Sequence, residues 1–255
     1  GGGDLGELGH GDAQRQSQPK KVEAFAGQRV VAVSAGRSHC LALTADGAIW
    51  SWGDGDFGQL GHGDKQNQLL PKKVEALAGQ RVLAVSAGPI HSLAITADGA
   101  VWSWGSGSFG RLGHGDEQQQ LLPKKVETFA GQRVVAVSAG VEHSLALTAD
   151  GAVWSWGRGD DGRLGHGDGQ RQLLPKKVEA FAGQRVVAVS AGGVHSIAIT
   201  ADGAVWSWGD GYYGKLGHGD EQSQLQPKKV EAFADRRVVA VSAGCLHSLA
   251  ITADG

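Results

Sequence analysis

The chain has 255 residues, enough to build a sizeable hydrophobic core, and a formal net charge of −2. Its 24 basic and 26 acidic side chains give no global basic surface of the kind that binds nucleic acid or an anionic membrane. No apolar run approaches the length of a membrane span, and the 42 glycines recur at fixed places, which indicates tight turns and not a disordered linker.

A repeat of 52 residues organises the chain. Its Leu-Gly-His-Gly-Asp signature contains His10, His62, His114, His166 and His218. A second histidine recurs with the same step, as His39, His91, His143, His195 and His247. A period near 50 residues with strand-like content is typical of propellers and solenoids. We therefore expect one repeat-propeller domain over residues 1–255, divided into repeats 1–52, 53–104, 105–156, 157–208 and 209–255.

Each repeat is predicted to form four antiparallel strands. In the second repeat, alternating apolar residues predict strands at 81–87, 92–96 and 100–104, and Ala97-Asp98-Gly99 predicts a hairpin turn between the last two. A Gly-rich connection follows from Gly105 to about Leu122. A short outer strand is then expected at 123–127, opened by Pro123, because proline and lysine suit an exposed sheet edge.

These elements predict an all-β fold, a β-propeller built of four-stranded antiparallel blades. The two ends supply only an incomplete blade, with an outer strand near residues 20–23 and two strands within residues 237–252. We therefore favour an open arc, or part of a larger ring, over a closed ring of five blades. Methionine is absent and the last period is cut short, so we also expect an excerpt of a longer array or an engineered sequence.

The run Ala-Asp-Gly-Ala-Val-Trp-Ser-Trp-Gly-x-Gly-x-x-Gly-x-Leu-Gly-His-Gly-Asp resembles the repeat of the regulator of chromosome condensation family over the whole chain. The resemblance implies a β-propeller, usually of seven blades. It also implies guanine-nucleotide exchange on a Ran-like small GTPase as one activity, although every period here is 52 residues, without the insertions that wedge into the GTPase. A photoreceptor of this family carries Trp just before the second histidine, and this chain has none there.

The other repeated residues are interpreted as structural residues and not as cofactor-binding, metal-binding or catalytic residues. The Gly-x-Gly-x-x-Gly runs are not followed by the helix that a dinucleotide site needs. The aspartates of the same loops change from copy to copy and supply no calcium cage. Histidines 52 residues apart are expected to make the same hydrogen bond, each within its own blade, and the Trp pairs are expected to pack between blades. We predict no catalytic residue, no cofactor, no metal site and no enzymatic activity.

The copies differ mainly at two places: the pair of residues before the second histidine, and the Gly-rich loop after the third strand. In an up-and-down blade these two loops open on the same face, opposite the uniform Asp-Gly turns, so we expect them to form a diversified partner-binding surface. The candidate partner-binding residues are Arg37, Ser38, Asp54, Asp56, Phe57, Gln59, Pro89, Ile90, Ser106, Ser108, Phe109, Arg111, Val141, Glu142, Arg158, Asp160, Asp161, Arg163, Gly193, Val194, Asp210, Tyr212, Tyr213, Lys215, Cys245 and Leu246.

The function that these features favour is a non-enzymatic scaffold that binds a protein on the variable loops. Two alternatives stay open: nucleotide exchange on a Ran-like GTPase, and a designed or recently amplified repeat with no specific natural function. Nucleic acid and membrane partners are not expected, whereas unpaired blade edges at the seam predict self-association. Two cysteines at non-equivalent positions favour an intracellular, reducing compartment over a disulfide framework.

Overall fold

The computed structural model describes residues 1–254, in which strands alternate with turns and short 3-10 helices. Contacts group these residues into two compact units. The first unit joins residues 1–107 with 118–130, and the second joins residues 108–117 with the chain from residue 131 onward. That the five repeats form one domain stays a prediction.

The first unit holds two four-stranded antiparallel sheets whose strands pair in chain order. Its strands are β1 (Val30–Ala35), β2 (His39–Thr44), β3 (Ile49–Gly53), β4 (Gln68–Lys73), β5 (Val82–Ala87), β6 (His91–Thr96), β7 (Val101–Gly105) and β8 (Gln120–Lys125). Short 3-10 helices at Glu23–Phe25, Glu75–Leu77 and Glu127–Phe129 precede the first strand of the sheet that follows each of them.

The second unit holds two more four-stranded sheets and one two-stranded sheet. Its strands are β9 (Val134–Ala139), β10 (His143–Thr148), β11 (Val153–Gly157), β12 (Gln172–Lys177), β13 (Val186–Ala191), β14 (His195–Thr200), β15 (Val205–Gly209), β16 (Gln224–Lys229), β17 (Val238–Ala243) and β18 (Ser248–Thr252). The predicted pair of C-terminal strands is therefore confirmed. The 3-10 helices of this unit are Ser108–Gly110, Asp160–Gly162, Glu179–Phe181, Tyr212–Gly214 and Glu231–Phe233.

The Asp-Gly hairpins form as predicted, and hydrogen bonds between residues close in the sequence hold them. The Thr44 hydroxyl donates to Asp46 Oδ1 at 2.5 Å, and the Ala48 amide donates to the same oxygen at 3.2 Å. Gly47 adopts a φ of +87°, a left-handed conformation that glycine enters without steric cost. The same bonds recur around Asp98, Asp150 and Asp202, so the turn between second and third strands is built identically in four repeats.

The core of each unit lies between neighbouring sheets. In the second unit, Leu145 and Val186 pack with Trp208, and all three are buried. Phe181 contacts both rings of a Trp pair edge-on, with ring centroids 5.7 Å from Trp206 and 5.7 Å from Trp208. The two rings of this Trp pair therefore lie on the same side of the sheet, and such edge-to-face pairs add to the free energy of burial.

The predictions for the outer strands are wrong in two respects. Residues 20–23 form no strand, because no strand among the described residues precedes them and offers an edge to pair with. Pro123 lies inside β8 and does not open it. The ladder between β7 and β8 shifts register between Ser103 and Gly105, so Pro123 occupies the unpaired stretch, where its missing N–H costs no ladder bond.

Candidate functional site

The two variable loops of each blade are joined directly by a backbone hydrogen bond. In every four-stranded sheet, the amide that follows the third strand donates to the carbonyl of the residue before the second histidine. These bonds are Asp54 N to Ser38 O (2.8 Å), Ser106 N to Ile90 O (2.9 Å), Arg158 N to Glu142 O (2.9 Å) and Asp210 N to Val194 O (3.0 Å). The two places where the repeats differ are therefore adjacent within each blade.

The candidate residues fall into three classes of solvent exposure. The exposed ones are Arg37, Asp56, Phe57, Ser108, Asp160, Asp161, Tyr212, Tyr213, Cys245 and Leu246. The partly buried ones are Ser38, Pro89, Ile90, Phe109, Val141, Glu142, Arg158, Val194 and Asp210. The buried ones are Asp54, Gln59, Ser106, Arg111, Arg163, Gly193 and Lys215. Only the first two classes offer side-chain atoms to a partner.

Three variable residues hold a backbone conformation that normally belongs to glycine. Phe109, Asp161 and Tyr213 occupy the same place in the Gly-x-Gly-x-x-Gly loop, and their φ angles are +61°, +59° and +64°. The left-handed region costs a non-glycine residue about 1–2 kcal/mol. These loops therefore carry strain at the position where they present a side chain that differs from copy to copy.

The last variable position of the loop is buried, because its carbonyl anchors the following blade. The Gln59 carbonyl accepts the hydroxyl of Ser92 at 2.9 Å and the indole N–H of Trp104 at 2.8 Å. In the second unit, the Arg111 carbonyl accepts from Ser144 at 2.9 Å and from Trp156 at 2.7 Å. A residue at this position therefore stabilises the loop from its buried side.

Gly193 is also buried for a structural reason. Its amide donates to the Gly244 carbonyl at 3.1 Å, and a Cβ added at Gly193 would lie 2.7 Å from the carbonyl oxygen of Cys245. Glycine is therefore the residue that lets the two neighbouring loops approach so closely. The difference between repeats at this position is therefore explained by the close packing of adjacent blades.

In the second unit, ion pairs link the variable loops to one another. Arg158 donates to Glu142 Oε2 at 2.8 Å and also pairs with Asp160 at 2.6 Å. Arg163, whose side chain is 3% exposed, lies 3.6 Å from the same Glu142 oxygen and 3.4 Å from Asp161. Burial lowers the pKa of the Arg163 guanidinium, with the nearby charge of Arg158 adding to the effect. Glu142 therefore offsets two positive charges, one of them desolvated.

A buried ion pair and two aromatic groups complete this region. Lys215 Nζ donates to Asp210 Oδ2, and the lysine side chain is fully buried. Burial acts to raise the pKa of Asp210, but the hydrogen bonds from Lys215 and the Tyr212 amide, together with the charges of Lys215 and Arg163, outweigh it, and the pKa is lowered. The Arg158 guanidinium lies 4.9 Å from the centroid of the Phe109 ring, which is cation–π distance. The rings of Tyr212 and Tyr213 lie 4.2 Å apart.

The histidines are structural, but the prediction of a bond within the same blade holds for only one register. His62 Nε2 lies 2.9 Å from Ser51 Oγ in its own blade. The second histidine reaches the following blade, as His39 Nε2 lies 2.9 Å from Ser92 Oγ. The reason is that β2 packs on the next sheet, so this ring lies between the two sheets. Burial lowers the pKa of His39 to about 4.

The serine after the second histidine is a residue that sequence analysis missed. Ser92 lies against His39 and also donates to the Gln59 carbonyl, so one hydroxyl joins three segments of the first unit. Its recurrence directly after the histidine in four repeats is the sequence feature that could have identified it. In the first repeat Cys40 replaces it, and the Cys40 thiol lies 3.5 Å from the Glu7 carbonyl, the equivalent acceptor.

Within residues 1–254, no group of three or more His, Cys, Asp or Glu side chains is placed to hold a metal ion. No helix in this part of the chain is both long and apolar enough to cross a membrane.

Comparison with known proteins gives the same fold. The family model described as the RCC1-like domain matches residues 1–255. The ultraviolet-B receptor UVR8 of Arabidopsis thaliana is 40% identical over 256 residues, a match that covers 100% of this chain and 58% of UVR8. The human E3 ubiquitin-protein ligase HERC2 is 42% identical over 256 residues, which is 98% of this chain but 5% of HERC2.

Among solved structures, Prp20p of Saccharomyces cerevisiae, described with its binding to Gsp1p and histones, matches with a TM-score of 0.79 at 28% identity. That match covers 89% of this chain and 57% of Prp20p. Yeast RCC1 (Prp20) bound to Kap60 matches with a TM-score of 0.84 and 26% identity, over 100% of this chain and 62% of that one. These neighbours confirm the all-β propeller fold class. The chain spans about three-fifths or less of the length of each of these relatives.

Proposed function

Since this chain belongs to the RCC1-like domain family, we propose that it is a non-enzymatic scaffold that binds a protein partner through its variable loops. We call the set Phe109, Glu142, Arg158, Asp161, Tyr212 and Tyr213, all in the second unit, the variable-loop patch. Arg37, Asp56 and Phe57 are the corresponding exposed residues of the first unit.

The observation that carries the proposal is the strained position shared by Phe109, Asp161 and Tyr213. Glycine at this position would relieve the strain, yet the chain places two aromatic residues and one acid there, and Tyr213 is 61% exposed. Phe109 lies against the Arg158 guanidinium and Asp161 pairs with Arg163, but Tyr213 gains no comparable burial or charge pair, so its strained ring needs another reason to be present. Contact with a partner supplies that reason.

The chemistry of the patch suits a protein partner. Tyr212 and Tyr213 are 55% and 61% exposed, and exposed tyrosines are the side chains that anchor protein interfaces. Among the charged side chains that the variable loops of this unit leave accessible, Arg158 is basic, whereas Glu142, Asp160, Asp161 and Asp210 are acidic. This surface lacks the excess positive charge that nucleic acid requires, and its charges suit pairwise recognition by a protein.

Capture of partners from an extract of the source cells tests this proposal. The patch variant carries Phe109→Ser, Tyr212→Ser and Tyr213→Ser. The matched control carries Val135→Ser, Val187→Ser and Val239→Ser, which replace three exposed apolar residues at the start of β9, β13 and β17, near the Asp-Gly turns. We expect quantitative mass spectrometry to find proteins retained by the control and lost by the patch variant. Retention of the same proteins by both variants would refute the proposal that the variable-loop patch is the binding surface.

Nucleotide exchange on a Ran-like GTPase is the second candidate, supported by the 28% identity to Prp20p, which binds Gsp1p. The release of a fluorescent GDP from Gsp1p separates the two candidates, with Prp20p as the positive control. Acceleration by this chain would establish exchange activity. An unchanged release rate, together with capture of another protein, would support the scaffold function and exclude exchange activity. Failure of both assays would favour a repeat protein with no specific natural function.

A further inference from the structure

A cavity recurs beside an Asp-Gly turn in each unit, away from the variable loops. Its volume is about 260 Å³ in the first unit and about 280 Å³ in the second. The charged side chains of its walls occupy the same three positions of the repeat, namely Asp46, Lys73 and Arg81 in the first unit and Asp150, Lys177 and Arg185 in the second. We call these two spaces the turn cavities.

The cations of the turn cavities are free to pair with a ligand. Within residues 1–254, the side chains of Lys73, Arg81, Lys177 and Arg185 make no hydrogen bond and no ion pair. The aspartate is instead committed to its own turn, as shown above for Asp46. Two bases against one acid give the walls of each cavity a formal net charge of +1.

The arginine stem is fixed by its packing on the turn glycine. A Cβ added at Gly47 would lie 2.8 Å from Arg81 Cγ, and one added at Gly151 would lie 2.6 Å from Arg185 Cγ. The amide of the residue after the arginine donates to the carbonyl of Gly47 at 3.0 Å and to that of Gly151 at 3.1 Å. A side chain that is already ordered loses less conformational entropy when a ligand binds.

The floor of each turn cavity is apolar. Val74 and Leu77 line the first, Val178 and Phe181 line the second, and all four are buried. A bare inorganic anion would pair with the cations but leave this floor uncovered. A carboxylate on a short hydrocarbon chain satisfies both surfaces, and the glutamate side chain has this structure.

The basic residues of this surface recur although they face solvent. Arg81, Lys177 and Arg185 are exposed, and the same lysine and arginine are present in all five copies of the repeat. The variable loops of the same copies differ from one another. A repeated basic site of constant composition suits a partner that offers the same acidic group more than once.

We propose that the turn cavities bind glutamate side chains of an acidic segment of a partner protein. The carboxylate pairs with the lysine and the arginine, and the methylenes cover the apolar floor. Charge complementarity selects the acidic segment over neutral or basic ones. This surface contains no residue of the variable loops, so the inference does not depend on the proposed function.

Fluorescence anisotropy with a labelled peptide of six glutamates tests the proposal on the 255-residue chain at low ionic strength. We expect saturable binding of this peptide and none of the matching peptide of six glutamines. Lys73→Gln combined with Lys177→Gln removes one cation from each turn cavity and should weaken binding about fivefold.

The matched control combines Lys72→Gln with Lys176→Gln. These lysines precede Lys73 and Lys177 in β4 and β12, where successive side chains point to opposite faces, and neither lines a turn cavity. The control loses the same net charge and should change the affinity less than about twofold. Circular dichroism confirms that both variants fold. Equal weakening by the two variants would overturn the proposal, because net charge alone would then explain the binding.

Asp46→Asn combined with Asp150→Asn gives a test of opposite sign. The asparagine oxygen still accepts the hydrogen bonds of the turn, whereas each cavity loses a negative charge. We expect this variant to bind the glutamate peptide about threefold more tightly. Unchanged or weaker binding, no saturable binding by the unmodified chain, or displacement of the peptide by an equal concentration of a six-nucleotide thymidylate would overturn the proposal. The last result would assign the cavities to phosphate.

Discussion

The imidazole of His143 and the hydroxyl of Ser196 lie 2.9 Å apart and join two neighbouring sheets of the second unit. Ser196 has one hydroxyl proton, which it donates to the Arg163 carbonyl at 2.9 Å. The hydroxyl therefore accepts from His143, so Nε2 carries the imidazole proton and Nδ1 is the basic nitrogen. Nδ1 is buried and has no hydrogen-bond partner among residues 1–254. Protonation would create a buried, unpaired cation.

This relationship predicts a loss of stability in mild acid. Burial lowers the pKa of His143 to about 3 and the pKa values of His39 and His195 to about 4, from about 6.5 in the unfolded chain. As pH falls below 6.5, the unfolded state takes up protons that the folded state does not. Each such histidine removes about 1.4 kcal/mol per pH unit from the free energy of unfolding until its folded pKa is reached.

Urea unfolding at pH 7.5, 6.0 and 5.0 measures this slope above the range in which aspartates titrate. His143→Gln should lower stability at pH 7.5 but make the pH dependence shallower by about one histidine's share. A free energy of unfolding that stays constant from pH 7.5 to 5.0 would contradict the burial of neutral histidines.

The strained loop position predicts an unusual ranking of two substitutions. Tyr213→Gly should be more stable than Tyr213→Ala by about 1 kcal/mol, because only glycine enters the left-handed region without steric cost. Both variants lose the same exposed ring. At the neighbouring Tyr212, whose φ is not positive, the ranking should be reversed. Thermal melting of the four variants tests this, and the same order at both positions would exclude strain as the cause.

The contact between a loop glycine and an indole can be measured with a matched pair. Gly165→Ala and Gly217→Ala carry similar left-handed strain, with φ angles of +79° and +76°, but only the first brings a Cβ within 2.9 Å of a Trp ring. We expect Gly165→Ala to be less stable by about 1–3 kcal/mol, the usual cost of overpacking. Urea unfolding gives the difference, and equal stability would mean that Trp208 shifts aside freely.

The ion pairs of the variable loops should contribute to stability in proportion to their burial. Glu142→Ala leaves the 3%-exposed Arg163 without its shared carboxylate and should cost about 1–2 kcal/mol. Asp4→Ala, in a pair whose side chains are 64% and 77% exposed, should leave the urea midpoint unchanged. If the two variants lose equal stability, the Glu142 network contributes no more than a surface pair.

The sequence predicted the features that depend on local chemistry. The first three strands of the second repeat begin and end within one residue of the prediction, and the Asp98-Gly99 turn forms where expected. The outer strand was predicted less well, because the position of Pro123 depends on a register shift that alternation does not encode.

The features that sequence analysis missed depend on how one blade packs on the next. Gln59 varies like a surface residue but is buried, since its carbonyl anchors Ser92, 33 residues away. His39 bonds to Ser92 across 53 residues, a pairing that nothing within one repeat indicates. Variation between repeats therefore did not separate the exposed side chains of these loops from those that hold the loops in place.

Hydrogen exchange of the chain with its captured partner would show whether the partner binds the variable loops. We expect slower exchange in the variable loops at residues 158–163 and 210–215, and unchanged exchange at the Asp-Gly turns at residues 149–151 and 201–203. Protection of the turns, with no change in the variable loops, would contradict this expectation.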